Sequence, residues 1–193
     1  MRNETIFSTV PNTQAFVSPG LGRCKAPGRA SSVHYHTEIE MLMVLEGRMR
    51  CVTAGETVDF GKSDVLFIAS NVPHETFMLE AGTGSMLIQF DPGILNPNAN
   101  QDCRYLFRLV NSSCDNMVVF HEDPELIQCM ENIQNEYIQK HTGYDLYIRS
   151  ELYHLLGFLY RHEILVDPER FFDRSLIERV LPTLHYIDEH YDE

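Results

Sequence analysis

One stretch constrains this chain more than any other. Between positions 28 and 47 it reads Gly28, five residues, His34, Tyr35, His36, three residues, Glu40, six residues and Gly47. His34 and His36 are two apart, so in a strand they share a face, and Glu40 has the same parity. Two imidazoles and a carboxylate on one wall of a sheet begin a divalent-metal site. His74, in Asn71-Val72-Pro73-His74, is a donor that a later strand can supply. Glu38 has the opposite parity and is expected on the outside.

The surroundings are those of a small antiparallel sheet. Turn residues fall at Gly47, Gly55, Gly61, Asn71 and Gly82. Between them lie short runs at 39–45, 49–53, 65–69, 76–79 and 85–90, rich in branched and large apolar residues and too short for good helices. Residues 39–45 are apolar on both faces: Ile39, Met41, Met43 and Leu45 on one, Leu42 and Val44 on the other. A lone barrel covers one face only, so a second sheet, a helical tail or a second subunit must cover the outside.

After a Pro- and Asn-rich connector, expected to hold a short helix near 105–110, the periodicity changes. Asp123-Pro124-Glu125 is a helix start, with a capping acid, Pro in the first turn and a second acid. Leu126, Met130, Ile133, Tyr137 and Ile138 follow at helical spacing. Thr142-Gly143 breaks the pattern, and Ile148, Leu152, Leu155, Leu156 and Leu159 form a second stripe. The short link predicts an antiparallel pair. A third amphipathic segment runs from about 173 to 191. Acids are concentrated here, sixteen against six bases over 121–193, compared with twelve against nine over 1–120. The net charge of −13 argues against nucleic-acid binding by this surface itself.

The glycines, histidines and glutamate of 28–47 match at every position the first motif of the cupin superfamily, which the region therefore resembles. The resemblance implies a double-stranded β-helix, or jelly-roll, barrel followed by the helix pair: a mainly β fold with an α-helical C-terminal part. The second cupin motif is altered. Gly61 opens it and His74 closes it after Pro73, the usual Pro-x-Gly turn is missing, and Met78 stands where metal cupins carry Asn. Asp64-Val-Leu-Phe-Ile68 with Asn71-Val-Pro73-His74, and His34-x-His36-x-Glu38-x-Glu40 followed by Val44-Leu45-Glu46-Gly47, resemble the sensor domain of AraC-type transcriptional regulators. That resemblance implies three regions. Residues 1–120 are a ligand-sensing barrel with an N-terminal arm, and 121–172 a helical dimerisation region. Residues 173–193 are a linker and the first helix of a truncated helix-turn-helix DNA-binding domain. It implies a small polar effector, such as a sugar, a homodimer, and DNA contact only through the missing domain. A metal-dependent cupin enzyme, a dioxygenase or isomerase, is the alternative.

Three readings of His34, His36, Glu40 and His74 stay open: a metal site, suited to Zn²⁺ or Ni²⁺ though not required for sensing; direct contact with an organic ligand; or a hydrogen-bonded structural remnant. Tyr35, Phe67, Phe77 and Phe90 are candidates for a pocket lining, against ordinary barrel core. Ile148, Leu152, Leu155 and Leu159 are candidates for a dimer seam, against packing on the barrel. No catalytic residue is assigned, since no Ser/His/Asp set, phosphate loop or Cys/His pair appears. Five cysteines, an odd number with no C-x-x-C pair, point to a reducing cytoplasm. No apolar run approaches a membrane span.

Overall fold

A computed structural model describes residues 17–53, 55–90, 117–162 and 164. The connector helix near 105–110 and the segment 173–193 lie outside the described residues, as does the arm up to residue 16. The described chain forms nine strands and two helices. The strands are β1 (Val17–Arg23), β2 (Gly28–His34), β3 (Ile39–Glu46), β4 (Arg48–Thr53), β5 (Thr57–Gly61), β6 (Val65–Ile68), β7 (His74–Met78), β8 (Gly84–Phe90) and β9 (Met117–Phe120). The helices are α1 (Pro124–Gln139) and α2 (Tyr144–Arg161).

Two antiparallel sheets face each other, one in the order β1-β8-β3-β6-β9 and the other β2-β7-β4-β5. Consecutive strands mostly alternate between sheets, as in a jelly roll. The inner faces pack Leu42, Val44, Leu66, Ile68 and Met117 of the first sheet against Met49, Cys51, Phe60 and Met78 of the second. The turns close as their residues require. Gly47 has φ +77°, and a Cβ there would sit 3.0 Å from the Thr83 Cα, so both backbone conformation and the close approach select glycine.

The covering that 39–45 demands is the helix pair. Ile39, Met41, Met43, Val65, Phe67, Ile88 and Phe90, on the outer face of the five-stranded sheet, form one cluster with Leu126, Met130 and Ile133 of α1 and Ile148, Leu152, Leu155 and Leu159 of α2. This corrects the candidate dimer seam. Ile148, Leu152, Leu155 and Leu159 are 4%, 0%, 2% and 0% exposed within a single chain, so they pack on the protein's own sheet. The α1 start is as expected: Asp123 Oδ1 accepts from the backbone N–H of Glu125 at 2.9 Å and of Leu126 at 3.1 Å. Lys140, in the left-handed conformation, ends α1, and Gly143 with φ +84° opens α2.

Candidate metal and ligand site

His34, His36, Glu40 and His74 converge, each offering one ligand atom, all within 4.8 Å of one another. They do not share one wall, as regular parity predicts. The strand ends at His34, and His36 sits in the loop before β3. His34 and His74 are therefore donors from the four-stranded sheet, Glu40 from the five-stranded one, and His36 bridges the mouth between them. Two slips in the β2–β7 ladder make this possible. Gly28 pairs Met78 and Arg29 pairs Phe77, but Ser31 pairs Thr76 and His34 pairs His74. Without these two irregularities His34 would fall opposite Val72. Bulges of this kind re-aim side chains beside functional sites.

Each imidazole is held the same way. Nδ1 lies 2.7 Å from the Ser32 carbonyl in His34, 3.0 Å from the Glu38 carbonyl in His36 and 2.8 Å from the Val72 carbonyl in His74. A carbonyl only accepts, so every Nδ1 is the donor and every Nε2 is left for the centre. Backbone orientation of this type is how metal-ligating histidines are fixed. Glu40 Oε2 lies 3.0 Å from His36 Nε2 and 3.6 Å from His74 Nε2. His74 Nε2 is buried with no hydrogen-bond partner, an unmet lone pair aimed at the centre. Three neutral Nε2 atoms and a carboxylate fit a divalent cation, which would satisfy that atom.

Protons compete for the same positions. The hydrogen bond that protonated His36 donates to Glu40 raises the His36 pKa above 6.5, against the pull of burial. For His74 burial pulls down, but Glu40 and the Val72 carbonyl push harder and the pKa is raised. Burial pushes Glu40 up, yet the hydrogen bonds from His36 and Gln89 and the nearby His74 ring outweigh it and bring the carboxyl down to about 2. Glu40 is therefore an anion throughout the useful pH range. Cys51, buried on the inner face, is pushed up to about 12, by burial first and then by the Glu40 charge, and so stays a thiol.

Gln89 escaped the sequence reading. In the β3–β8 ladder it lies opposite Glu40, and its Nε2 donates to Glu40 Oε2 at 2.8 Å while standing 3.1 Å from His36 Nε2. The signal available was a lone amide at an inward position of a mostly apolar strand.

The four aromatic candidates do not line this site. Phe67 and Phe90 lie under the helices, on the opposite sheet face from Glu40. Phe77 alternates out from the inward His74, Thr76 and Met78, and carries the Arg29 guanidinium 5.7 Å from its ring centroid. Tyr35 is 70% exposed, because the chain leaves the strand there. Strand parity, broken in the case of Tyr35, accounts for all four. Glu38 is outside the cluster, as its parity implies, although its carbonyl orients His36. The inner face beyond the cluster is mostly apolar, with Leu42, Val44, Met49, Phe60, Leu66, Ile68 and Met78, and also carries the buried hydroxyls of Thr76 and Ser85.

Comparison with known proteins agrees with this architecture. Residues 24–88 match the model of the cupin domain family. Apo ToxT from Vibrio cholerae superposes with a TM-score of 0.54 at 12% identity, over 79% of this chain and 56% of that one. ToxT from the same organism with an unsaturated fatty acid bound gives 0.56 at 11% identity, over 88% and 65%. The chain thus spans less than two thirds of the length of either. An oxalate decarboxylase from Bacillus subtilis matches 39% of this chain and 21% of its own at 25% identity, with a TM-score of 0.35. No curated protein matches the sequence. Among the described residues no helix is long and apolar enough to cross a membrane.

Proposed function

We propose that this chain is the ligand-sensing and dimerisation part of an AraC-type transcriptional regulator, in which occupancy of the cup controls a helix-turn-helix domain. The observation that carries this reading is the continuity of the layers. The His/Glu cluster lies inside the cup, Glu40 and Gln89 stand on β3 and β8, and the opposite face of those same strands packs on the helix pair. A ligand that moves β3 moves what α1 and α2 rest on, and it signals only if it binds the two arrangements unequally. The fold shared with ToxT extends over both barrel and helices, which supports the same division of labour.

In this reading His34, His36, Glu40 and His74 hold a divalent metal, and the effector docks its polar group there. Beyond the cluster the inner faces pack on each other and are mostly apolar, so an effector with a compact polar head and an apolar body suits the site if its body parts them. The fatty acid bound by ToxT is of the favoured type. The homodimer forms through the outer face of the helix pair, where Ile138, Leu146 and Tyr147 are 62%, 67% and 62% exposed.

The test is a fusion. Residues 1–193 are joined to a DNA-binding domain that represses a reporter only as a dimer. Repression that depends on the fused chain and changes with supplied metal or medium-chain carboxylic acids supports the proposal. Repression no better than the unfused domain, under every condition, overturns it.

A metal-dependent cupin enzyme is the second reading. It is favoured by the half-buried His34 and His36, which leave the cluster open to a substrate. Metal-dependent turnover of a small acid, abolished in His74→Ala, would establish it.

A further inference from the structure

Gln89 belongs to no cupin motif in this sequence, yet its amide touches two of the four residues of the cluster. Its Nε2, Glu40 Oε2 and His36 Nε2 form a closed triangle with sides of 2.8, 3.0 and 3.1 Å. Hydrogen bonding alone does not explain this triangle. The His36 Nδ1–H is committed to the Glu38 carbonyl. A neutral ring turns a lone pair at Glu40 Oε2, acceptor against acceptor, while a protonated ring donates to Glu40 but then meets the Gln89 amide donor against donor. No single proton arrangement satisfies all three sides, whereas a cation between them does. Metal–ligand bonds of about 2.1 Å place neighbouring donor atoms about 3.0 Å apart around an octahedron and about 3.4 Å apart around a tetrahedron. The three sides are hydrogen-bond lengths, and around a cation the same lengths fit an octahedron rather than a tetrahedron.

We infer that Gln89 is a fifth ligand of the metal site, coordinating through Oε1 the same cation as His34, His36, Glu40 and His74. Turning the terminal amide half a revolution exchanges Oε1 for Nε2 at almost the same position, without moving the rest of the side chain. The β3–β8 ladder already holds Gln89 opposite Glu40, so the fifth donor is preorganised. Three imidazole nitrogens, a carboxylate oxygen and an amide oxygen form a set too large for closed tetrahedral zinc. The set suits a cation that accepts six ligands, such as Ni²⁺, Co²⁺, Mn²⁺ or Fe²⁺. One position remains, for the polar head of the effector. This inference rests on the metal reading of the cluster and adds to it the coordination number and the class of metal.

Cobalt(II) tests both separately, because its visible absorption strengthens as coordination number falls. Metal-free wild type, Gln89→Leu, Gln89→Glu and His74→Ala are titrated with Co²⁺ and followed by calorimetry and absorption, with circular dichroism to check folding. Wild type is expected to take up one Co²⁺ with the weak absorption of a five- or six-coordinate ion. Gln89→Leu is expected to bind about 10- to 100-fold more weakly, the range seen when groups supporting a metal are lost, and with stronger absorption. Gln89→Glu, which supplies an anionic oxygen, should bind at least as tightly as wild type. If Gln89→Leu changes affinity but not absorption intensity, Gln89 only orients Glu40 and the inference is wrong. Wild-type affinity and spectrum in Gln89→Leu, with loss in His74→Ala, also overturn it while leaving the metal site standing. A folded wild type that takes up no Co²⁺ removes the metal reading itself.

Discussion

A proton and a metal ion seek the same lone pairs on His36 and His74, and this sets the pH behaviour of the site. In metal-free protein both pKa values are raised above 6.5, so their stabilising effect is fully present below 6.5 and is lost as pH rises through the raised values. Glu40 works in the other direction. Its pKa falls from 4.5 to about 2, so its contribution is present above 4.5 and is lost as pH falls toward 2. The melting temperature of chelator-treated protein should therefore decline on the alkaline side, and Glu40→Gln should flatten that decline. Differential scanning calorimetry from pH 5 to 9 checks it; an unchanged slope in the variant would reject the coupling. Metal affinity should run the opposite way and rise with pH, since binding displaces protons from Nε2. At this scale His34, His36 and Glu40 were legible because their types and spacing are local, and His74 from its place after Asn71-Val72-Pro73. Gln89 was not, because only strand register brings position 89 to position 40.

At the scale of elements, the helix pair is a layer of the core. Leu152 is fully buried between α2 and the sheet, so Leu152→Ala should cost about 2–5 kcal/mol. Asp123→Ala removes one helix cap and should cost about 1 kcal/mol. Urea unfolding followed by both far-ultraviolet dichroism and tyrosine fluorescence reads these costs. The two signals should stay coincident in Leu152→Ala, because sheet and helices share one cluster. Separate transitions would mean that the helices do not depend on the barrel. The stripe 148–159 was readable as a buried face from its period. Which surface it meets was not, because a periodic apolar face is equally suited to a sheet or to a second copy of the chain.

At the scale of the whole molecule, three exposed apolar residues at one end of the helix pair carry the proposed dimer contact. Ile138, at the end of α1, and Leu146 and Tyr147, at the start of α2, border the same turn between the helices. If the proposed dimer uses this face, Leu146→Glu with Tyr147→Glu should give a folded monomer in sedimentation velocity. Leu155→Glu, by contrast, puts a charge into the core and should unfold the chain. A double variant that sediments like wild type would place the dimer elsewhere or exclude it.

What was determined by the sequence alone is what depends on near neighbours: the hairpin rhythm of the barrel, the capped start of α1, the break at Gly143, the demand for a cover over 39–45, and the chemistry of two histidines and a glutamate in one short stretch. What only the tertiary structure decided depends on distant partners. The bulges that turn His34 toward His74, the register that sets Gln89 beside Glu40 and the choice of the helix pair as the cover all arise from pairing across the fold. The physical reason is that side-chain parity survives only while a strand stays regular. At the site itself the strand ends and the ladder slips, so local periodicity no longer says where a side chain points.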